Sequence, residues 1–432
     1  MLEMRLFRDN PEMIRADHDR RGLPHDMIDQ VIDLDNRWKD LRYQVDQLRK
    51  KRNEAARGIA AAKKSGDEEE ANRILSEVSN IGAKIEQLGN EADEAENERD
   101  QVRMRVPNIL HESVPIGDDD TKNIERSLHG QIPEFTFKPK VHNDLIEQNA
   151  WVDLGRAAKV AGSRFYYLKG DLARLEMALQ QHTIEFLIER GFTLVQPPVM
   201  MNREAYEGVT DLSDFETVMY GIQPDGFYVI ATSEHPLTAM FMDEIIEPSL
   251  LPIKMAGVSP CFRREVGAHG LSDKGIWRVH QFTKVEQIVI CRPEDSWEHH
   301  EELLQNCIDL WDGLELHYRV VDICTGDMGT VAAKKYDLEA WLPGADAYKE
   351  VVSCSNCTDY QANRLKMRYR TAEGNTSVHT LNSTAVATSR ALVAIMEQFQ
   401  EEDGRVRIPE ILRPHMGGML SLIHISEPTR LR

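Results

Sequence analysis

The chain has 432 residues, a formal net charge of −20 and a hydrophobic content of 41%. This length exceeds what one hydrophobic core usually serves, so two or more domains are expected. The acidic balance excludes a protein that coats nucleic acid through a general positive charge. Apolar runs of about 18 residues are absent, six cysteines suggest no disulfide framework, and the charged N-terminus does not resemble a signal peptide, so we expect a cytoplasmic protein without a membrane span.

Two stretches of heptad-spaced apolar residues follow a short polar lead. The first runs from Leu34 to Ala62 and the second from Ile74 to Val102, with the polar break KSGD at residues 64–67 between them. Because spacings of three and four place such residues on one helix face, the pattern predicts an antiparallel coiled-coil hairpin. About 38 residues per helix, at 1.5 Å per residue, give an arm of roughly 55–60 Å.

Basic side chains are concentrated on the first helix of this predicted hairpin, whereas the second helix is acidic. The residues that we select as nucleic-acid contacts are Arg42, Arg49, Lys50, Lys51 and Arg57. A solvated coiled-coil face would carry similar charges, so the basic run alone does not identify a ligand. If the ligand is RNA, lysine and arginine contacts to phosphate would recognise its shape with little contact to bases.

The stretch from Pro260 to Ile290 predicts two strands joined by a polar, glycine-rich loop at residues 267–275. Arg263 and Glu265 are two residues apart, so we expect both side chains on one face of the sheet. A fixed guanidinium beside a fixed carboxylate suits a ligand that carries both a phosphate and a hydrogen-bond donor. An exposed ion pair on a hairpin would show the same spacing.

Three further segments carry groups that are suited to chemistry. The segment TSE at residues 232–234 offers a hydroxyl and a carboxylate to an ammonium group, although a helix N-cap has the same pattern. The segment EVVS at residues 350–353 contains oxygen donors of the kind that Mg²⁺ prefers. Cys354 and Cys357 form a C-x-x-C pair, but the other cysteines supply no second pair, so zinc is not predicted.

Together these segments resemble the seryl-tRNA synthetase family of class II aminoacyl-tRNA synthetases. Residues 262–286, with F-R-x-E, the glycine-rich loop and R-V-H-Q-F-x-K-V-E, resemble motif 2 of that class. Residues 191–198, GFTLVQPP, resemble motif 1. Residues 379–390, HTLNSTAVATSR, resemble motif 3 in a form without glycines that is typical of archaeal members. The resemblance covers about residues 1–418 and implies the ordinary, zinc-free type.

The resemblance implies an α+β fold, in which an N-terminal antiparallel coiled-coil hairpin precedes a class II antiparallel sheet flanked by helices. It implies a tRNA-binding arm at 1–107, a connector at 108–137 and a catalytic domain at 138–418. Residues 419–432 resemble nothing in the family, so we expect a non-native tail there. Motif 1 forms much of the dimer interface in this class, which implies a homodimer whose arm reaches tRNA bound at the other subunit.

The implied activity is ATP-dependent activation of L-serine to seryl-adenylate, followed by transfer of serine to tRNA(Ser). Charging of tRNA(Sec) stays open. ATP is the implied substrate and Mg²⁺ the implied metal ion. Since the serine carboxylate is already ionised, no general base is required, and the task of the protein is positioning and charge stabilisation.

The family assigns roles to the residues that match its motifs. The implied catalytic residues are Arg263, Glu350 and Arg390. The implied ATP contacts are Arg263, Arg264, Glu265, Val279, Glu350, Val351, Val352, Ser353 and Arg390. The implied serine contacts are Thr232, Ser233, Glu234, Arg263, Glu286 and Thr384. The implied metal ligands are Glu350 and Ser353, and the implied tRNA contacts are the five basic residues given above. Thr384 stands where serine is usual, and Asn363 stands where arginine is usual, which leaves the role of Asn363 undefined.

Two other functions stay open on the sequence. A synthetase-like ligase that charges a carrier protein would share the catalytic motifs, but such relatives generally lack the long arm. A catalytically inactive tRNA-binding paralogue would keep the arm. Evidence against it is that five residues implied for catalysis are intact, namely Arg263, Glu265, Glu286, Glu350 and Arg390. Amino-acid-dependent ATP–pyrophosphate exchange, followed by charging of total tRNA, separates the three functions.

Overall fold

The computed structural model describes residues 1–211, 217–265 and 275–423. Residue contacts divide the chain into two compact units, Met1–Pro107 and Asn108–Arg432. The predicted glycine-rich loop, apart from Gly275, lies outside the described residues, as does the predicted tail beyond residue 423. Within the described ranges we find no helix with the length and apolar character needed to cross a bilayer.

The first unit contains the predicted helical hairpin. Its helices are α1 (Met4–Asp9), α2 (Pro11–Arg21), α3 (Asp26–Ser65), α4 (Glu68–Val78) and α5 (Ile81–Arg103). The turn after α3 falls at Gly66, whose φ of +78° suits glycine because it has no Cβ. The coiled-coil hairpin is therefore confirmed, with the difference that residues 79–80 interrupt its second helix between α4 and α5.

The contact between α3 and α5 is apolar at the predicted heptad positions. Leu41 and Val45 pack against Leu88, Ala92 and Ala95, and all five side chains are buried. A hydrophobic seam of this kind holds two long helices together without many specific polar contacts. Arg52 lies one heptad after Val45, but its charged side chain is exposed.

A buried carboxylate joins the helices at the base of the hairpin. Asp35 on α3 accepts hydrogen bonds from Arg8 of α1 at 2.7 and 2.8 Å and from Arg99 of α5 at 3.1 Å. Burial opposes its ionisation, but the hydrogen bonds from Arg8 and Lys39 hold the pKa of the Asp35 carboxyl far below its usual range. Because removing one partner from a buried ion cluster is costly, these contacts fix α1, α3 and α5 to one another.

The second unit combines helices with several sheets. Its helices are α6 (His142–Asn149), α7 (Leu154–Ala161), α8 (Gly170–Glu189), α9 (Arg203–Val209), α10 (Glu234–Thr238), α11 (Ser296–Gly313), α12 (Tyr360–Leu365) and α13 (Thr388–Gln398). Its strands are β1 (Ile124–His129), β2 (Val152–Asp153), β3 (Tyr167–Leu168), β4 (Thr193–Val195), β5 (Met200–Asn202), β6 (Tyr220–Ile222), β7 (Phe227–Val229), β8 (Ile245–Ile246), β9 (Ile253–Phe262), β10 (Gln281–Cys291), β11 (Tyr318–Asp322), β12 (Lys334–Leu342), β13 (Ala347–Asn356), β14 (Arg368–Thr371), β15 (Gly374–Ser377), β16 (His379–Ala387), β17 (Val406–Arg407) and β18 (Ser421–Leu422).

The centre of this unit is an eight-stranded sheet, counted over the described residues, in the order β1-β11-β12-β13-β16-β10-β9-β4. Its neighbouring strands run antiparallel except for β4 and β9, which are parallel. The main hydrophobic core joins this sheet to α8, α11 and α13 through residues such as Leu175, Trp311 and Leu392. An antiparallel sheet flanked by helices was predicted, and the fold class is confirmed.

The first strand of motif 2 ends earlier than predicted. Strand β9 ends at Phe262 and β10 begins at Gln281, so Arg263 and Glu265 both follow the end of a strand. Glu265 has a φ of +44°, in the left-handed region. The alternation of side chains along a strand does not extend to such a residue, so the prediction that Arg263 and Glu265 share one face of the sheet is wrong.

The first residues of the predicted tail belong to the fold of the second unit. Strand β18 pairs with β17 in antiparallel register, and the indole N–H of Trp151 donates to the carbonyl of Ile423 at 3.0 Å. The non-native origin of residues 419–432 stays a prediction.

Candidate active site

A cavity of about 490 Å³ lies over the central strands of the second unit. The predicted residues in its wall are Thr232, Glu234, Arg263, Glu286, Glu350, Val351, Ser353, Thr384 and Arg390. The wall also contains Cys357 of the C-x-x-C pair and residues to which the sequence assigned no role, including Asp211, Lys284, Lys335 and Asn382. One cavity therefore gathers most of the predicted contacts for the amino acid, the phosphates and the metal.

Glu286 is the centre of a hydrogen-bond cluster in this wall. Its Oε1 atom accepts a hydrogen bond from the Thr384 hydroxyl at 3.0 Å and one from the Thr232 hydroxyl at 3.3 Å, and it forms an ion pair with Lys284. Glu286 is only 1% exposed. The antiparallel register of β10 and β16, which sets Glu286 opposite Thr384, brings the two residues together. We call Glu234, Glu286, Thr232 and Thr384 the carboxylate cluster.

Glu234, the first residue of α10, supplies the second carboxylate. It accepts a hydrogen bond from the Gln361 side-chain amide at 3.2 Å, and Gln361 is held in turn by Thr380 at 2.6 Å. Burial raises the pKa of Glu234 to about 7, and the charge of Glu286 acts in the same direction. Two carboxylates with nearby hydroxyl groups suit a ligand that carries an ammonium and a hydroxyl group.

Ser233 lies outside the cavity wall, although the sequence resemblance implied a contact with the amino acid. The residue is fully buried and faces Gly257 of β9, where a Cβ atom would lie 2.7 Å from the Ser233 Oγ. Gly257 pairs with Glu286 in the register of β9 and β10. Glycine at this position therefore lets α10 pack directly on the strand beside Glu286.

Two guanidinium groups, which we call the guanidinium pair, line the same cavity. Arg390, in the first turn of α13, donates to the Glu350 carbonyl at 2.8 Å, and its Cζ lies 5.5 Å from the centre of the Trp277 ring. Arg263 donates through Nε to the Ala231 carbonyl at 3.3 Å. Planar guanidinium groups supply paired donors that match phosphate oxygens, so this part of the wall is suited to a phosphorylated ligand.

Oxygen donors beside the guanidinium pair fit a hard divalent cation. Glu350 lies 3.5 Å from Arg390 and is 46% exposed; desolvation opposes its ionisation, but the charges of Arg390 and Lys335 lower the pKa of the Glu350 carboxyl. Asp337 pairs with Ser353 across β12 and β13, and among the described residues its buried Oδ1 has no hydrogen-bond partner. Clusters of three or more acidic, histidine or cysteine ligands are not found in the described part of the chain. Mg²⁺ bound here would take its remaining ligands from phosphate and water.

Four residues that the resemblance assigned to ATP do not line the cavity. Glu265 accepts a hydrogen bond from Arg278 at 3.2 Å, and Arg264 is exposed. Val279 and Val352 are buried in the main core. Residues 266–274, which follow Glu265, lie outside the described part.

The basic residues assigned to tRNA occupy different environments on α3. Arg42 forms ion pairs across the hairpin with Asp93 at 2.8 Å and Glu96 at 3.7 Å, and Arg49 lies 3.5 Å from Asp46 on its own helix. The other three, Lys50, Lys51 and Arg57, are exposed and have no ion pair among the described residues. These three carry the charge that is available to a phosphate backbone, whereas Arg42 joins the two helices.

Asn363 and the cysteine pair have ordinary structural surroundings. The Asn363 amide donates to Asp359 at 2.9 Å, and its carbonyl accepts from Ser377 at 2.7 Å, outside the cavity wall. Cys354 and Cys357 are buried and reduced, as are the other cysteines. The Asn382 amide lies 3.6 Å from the Cys357 sulfur within the cavity wall.

Known proteins resemble both units. The model of the seryl-tRNA synthetase N-terminal domain matches residues 1–110, and that of the class II tRNA synthetase core domain (G, H, P, S and T) matches residues 220–399. A serine–tRNA ligase of Methanoregula boonei is 52% identical over 421 residues, which cover 96% of this chain and 99% of that protein.

The crystal structure of seryl-tRNA synthetase from Pyrococcus horikoshii complexed with ATP aligns with a TM-score of 0.92 and 44% identity, covering 99% of this chain and 100% of that one. The cytoplasmic serine–tRNA ligase of Naegleria fowleri in complex with AMP aligns at 0.88 and 35%, with 99% of each chain covered. Since identity near one half extends over almost the whole chain, the protein belongs to the seryl-tRNA synthetase family of class II aminoacyl-tRNA synthetases.

Proposed function

We propose that the chain uses ATP to activate L-serine as seryl-adenylate and then transfers the seryl group to tRNA(Ser). The observation that carries the proposal is the presence of the carboxylate cluster and the guanidinium pair in one cavity wall. That arrangement matches the two halves of the reaction centre, an amino acid with ammonium and hydroxyl groups and a triphosphate.

The carboxylate cluster would select serine. Glu234 and Thr232 would bind its ammonium group, while Glu286 and Thr384 would bind its hydroxyl group. Alanine lacks that hydroxyl and would leave one carboxylate oxygen of the buried Glu286, Oε2, without a partner, which is the kind of loss that gives strong discrimination. Threonine adds a methyl group, so its rejection would depend on size, which discriminates more weakly.

The guanidinium pair would stabilise charge as the serine carboxylate attacks the α-phosphorus and pyrophosphate leaves. Arg263 would bind the α-phosphate and Arg390 the terminal phosphate. The family resemblance also implies that Glu265 accepts from the adenine amino group and that Val279 packs behind the ring, although neither residue lines the cavity described above. Glu350 and Ser353 would hold Mg²⁺, which would supply positive charge that neutralises part of the phosphate charge. Since no general base is required, catalysis would come from positioning and electrostatic stabilisation.

The proposal extends to a cytoplasmic homodimer. Met177 and Ile188 on α8 and Leu194 on β4 are 70%, 48% and 46% exposed, and they lie in or beside the segment that resembles motif 1. Exposed apolar side chains on an edge strand and the helix before it suit an interface with a second copy. The arm of one subunit would reach tRNA whose acceptor end enters the cavity of the other.

The test is ATP–pyrophosphate exchange with each of the twenty amino acids, followed by charging of total tRNA. Exchange with serine alone, followed by serylation, supports the proposal, and purified tRNA(Sec) in the same assay shows whether that tRNA is also a substrate. Exchange without charging would favour a ligase that acts on a carrier protein. A chain that binds tRNA without any exchange would be an inactive paralogue.

Serine affinity should depend on pH through Glu234, whose pKa is raised to about 7. Protonation removes the charge that would bind the serine ammonium, so affinity should fall as the pH falls. With one ionisation near pH 7, we expect the dissociation constant of serine to be about tenfold higher at pH 6 than at pH 8. Calorimetry of Glu234→Gln should give weak binding without this pH dependence. A flat profile for the wild type would contradict the assignment.

Gly257→Ala should weaken serine binding because a Cβ atom would meet Ser233 and Leu237 of α10 at 2.7 and 2.5 Å. The displacement would move Thr232 away from Glu286, and we expect about a tenfold rise in the dissociation constant of serine. Ser233→Gly in the same chain removes the contacts with Ser233 at 2.7 and 3.0 Å but leaves the one with Leu237, so it should restore part of the affinity. Equal losses of serine and ATP affinity would show general damage instead.

A further inference from the structure

We propose that Lys284 is a positioning residue for amino-acid specificity, because it directs Glu286 so that a single carboxylate oxygen is left for the substrate hydroxyl. The inference rests on the proposed function, since it concerns how serine is told from alanine. Lys284 matches none of the groups to which a substrate role was assigned from the sequence. It enters the site through its place on β10, two residues before Glu286.

The first observation is that the polar contacts of the Glu286 carboxylate with the described residues all go to one oxygen, Oε1. Oε1 accepts from Thr232 at 3.3 Å and from Thr384 at 3.0 Å, and it is the atom that pairs with Lys284. Among the described residues, Oε2 has no such contact. A carboxylate held on one side by three donors cannot rotate freely, so Oε2 has a defined direction.

The second observation fixes the direction of the Thr384 hydroxyl. The Lys284 ammonium lies 3.4 Å from the Thr384 Oγ1, and an ammonium group is a donor only. Thr384 must therefore accept from Lys284 and donate its own proton to Glu286. With its proton used in this way, Thr384 can only accept from the substrate, so a substrate hydroxyl must act as a donor, and Oε2 of Glu286 is the charged acceptor left for it.

Burial makes this arrangement selective. Lys284 is 7% exposed, Thr384 7% and Glu286 1%, so water has little access to the cluster. A buried acceptor that stays unpaired is costly, and the cost falls on any amino acid without a hydroxyl at the β-carbon. The cluster as a whole, including Lys284, therefore determines the preference for a hydroxyl donor.

The experiment compares two non-hydrolysable adenylate analogues, seryl-sulfamoyl adenosine and alanyl-sulfamoyl adenosine, which differ only in the hydroxyl group. Calorimetry gives the ratio of their dissociation constants for the wild type, Lys284→Met and Lys284→Gln. Methionine keeps the length of the side chain without donors, whereas glutamine keeps an N–H donor without the charge. In the wild type the dissociation constant of the alanyl analogue should exceed that of the seryl analogue. We expect Lys284→Met to reduce this ratio by about tenfold through weaker binding of the seryl analogue, and Lys284→Gln to reduce it much less.

Lys254→Met is the matched control. Lys254 lies on the neighbouring strand β9, donates to Glu302 at 2.6 Å and is outside the cavity wall. Its loss removes a lysine–glutamate pair from the same sheet and should leave the ratio unchanged. Thermal unfolding of each variant shows whether it is still folded. If Lys284→Met does not fold, the analogue ratios of Lys284→Gln and Lys254→Met are compared instead.

The outcomes separate the inference from the proposed function. A wild type that binds both analogues equally overturns the proposed function, and the inference with it. A wild type that prefers the seryl analogue, with variants that keep the same ratio, overturns the inference alone. If a variant lost equal affinity for both analogues, Lys284 would have a structural role only. If Lys284→Gln reduced the ratio as much as Lys284→Met, the charge of Lys284 would matter and not its orientation of Glu286. Either result also overturns the inference.

Discussion

Arg263→Ala should lower serine-dependent ATP–pyrophosphate exchange by about a thousandfold, since removing one preorganised donor to a developing charge typically costs 10²–10³. Arg263 follows the end of β9, lines the cavity and is fixed by its bond to the Ala231 carbonyl. Its proposed partner is the α-phosphate, where charge develops during attack. The loss should lie mainly in kcat, with the serine dissociation constant changed less, and single-turnover kinetics would show this.

Two variants make the Arg263 result specific. Arg263→Lys keeps the charge but not the planar pair of donors, so it should recover only part of the rate. Arg319→Ala removes a half-buried arginine from β11, where it bonds Glu339 at 2.6 Å outside the cavity, and should keep nearly full activity. If folded Arg263→Ala retained more than about a tenth of the wild-type rate, Arg263 would not be the group that stabilises the transition state.

Excision of residues 50–83, with a short glycine link between the cut helices, should leave serine activation within about twofold and lower tRNA charging by at least about a hundredfold. The cut removes Lys50, Lys51 and Arg57, which are exposed on α3. It keeps the apolar seam around Leu41 and Leu88 and the Asp35 cluster, so the base of the arm can still fold.

Charge reversal gives an independent version of the arm experiment in the full chain. Replacing Lys50, Lys51 and Arg57 with glutamate should reduce charging steeply and make its salt dependence shallower, because fewer phosphate contacts release fewer counterions. Arg73→Glu is the control, since Arg73 lies on α4 and already pairs with Glu70 at 2.7 Å. Normal charging by the excised or reversed protein would mean that the arm does not bind tRNA.

The parts of the molecule that could be predicted from sequence depend on local patterns. The hairpin follows from heptad spacing and a glycine turn, and both are confirmed in α3 and Gly66. Glu286 and Arg390 were found because each stands inside a continuous motif, and both line the cavity. Local periodicity, however, predicted neither the break at residues 79–80 nor the burial of the Asp35 carboxylate inside the arm.

Lys284 and Asn382 were missed although they stand inside motifs 2 and 3, whereas Lys335 enters the site through pairing between distant segments. Lys335 joins the cavity wall because β12 pairs with β13, and a lysine on a strand gives no local signal of such a neighbour. The errors have similar causes. Ser233 was grouped with Thr232 and Glu234, but the start of α10 turns it toward Gly257. Arg263 and Glu265 were given one sheet face, but the strand ends at Phe262.

The Asp35 cluster has a mechanical consequence. Helix α3 has 40 residues, so it forms a rod of about 60 Å with the cluster near one end. From Asp35 to the far end of α3 is about 45 Å, so a bend of about 5° at the cluster moves that end by about 4 Å, which is more than the length of a hydrogen bond. The stiffness of the Asp35 cluster therefore determines how precisely the far end of α3 is positioned. If the arm binds tRNA as proposed, Asp35→Asn would loosen this base and reduce the precision with which Lys50, Lys51 and Arg57 are positioned, without changing those residues themselves.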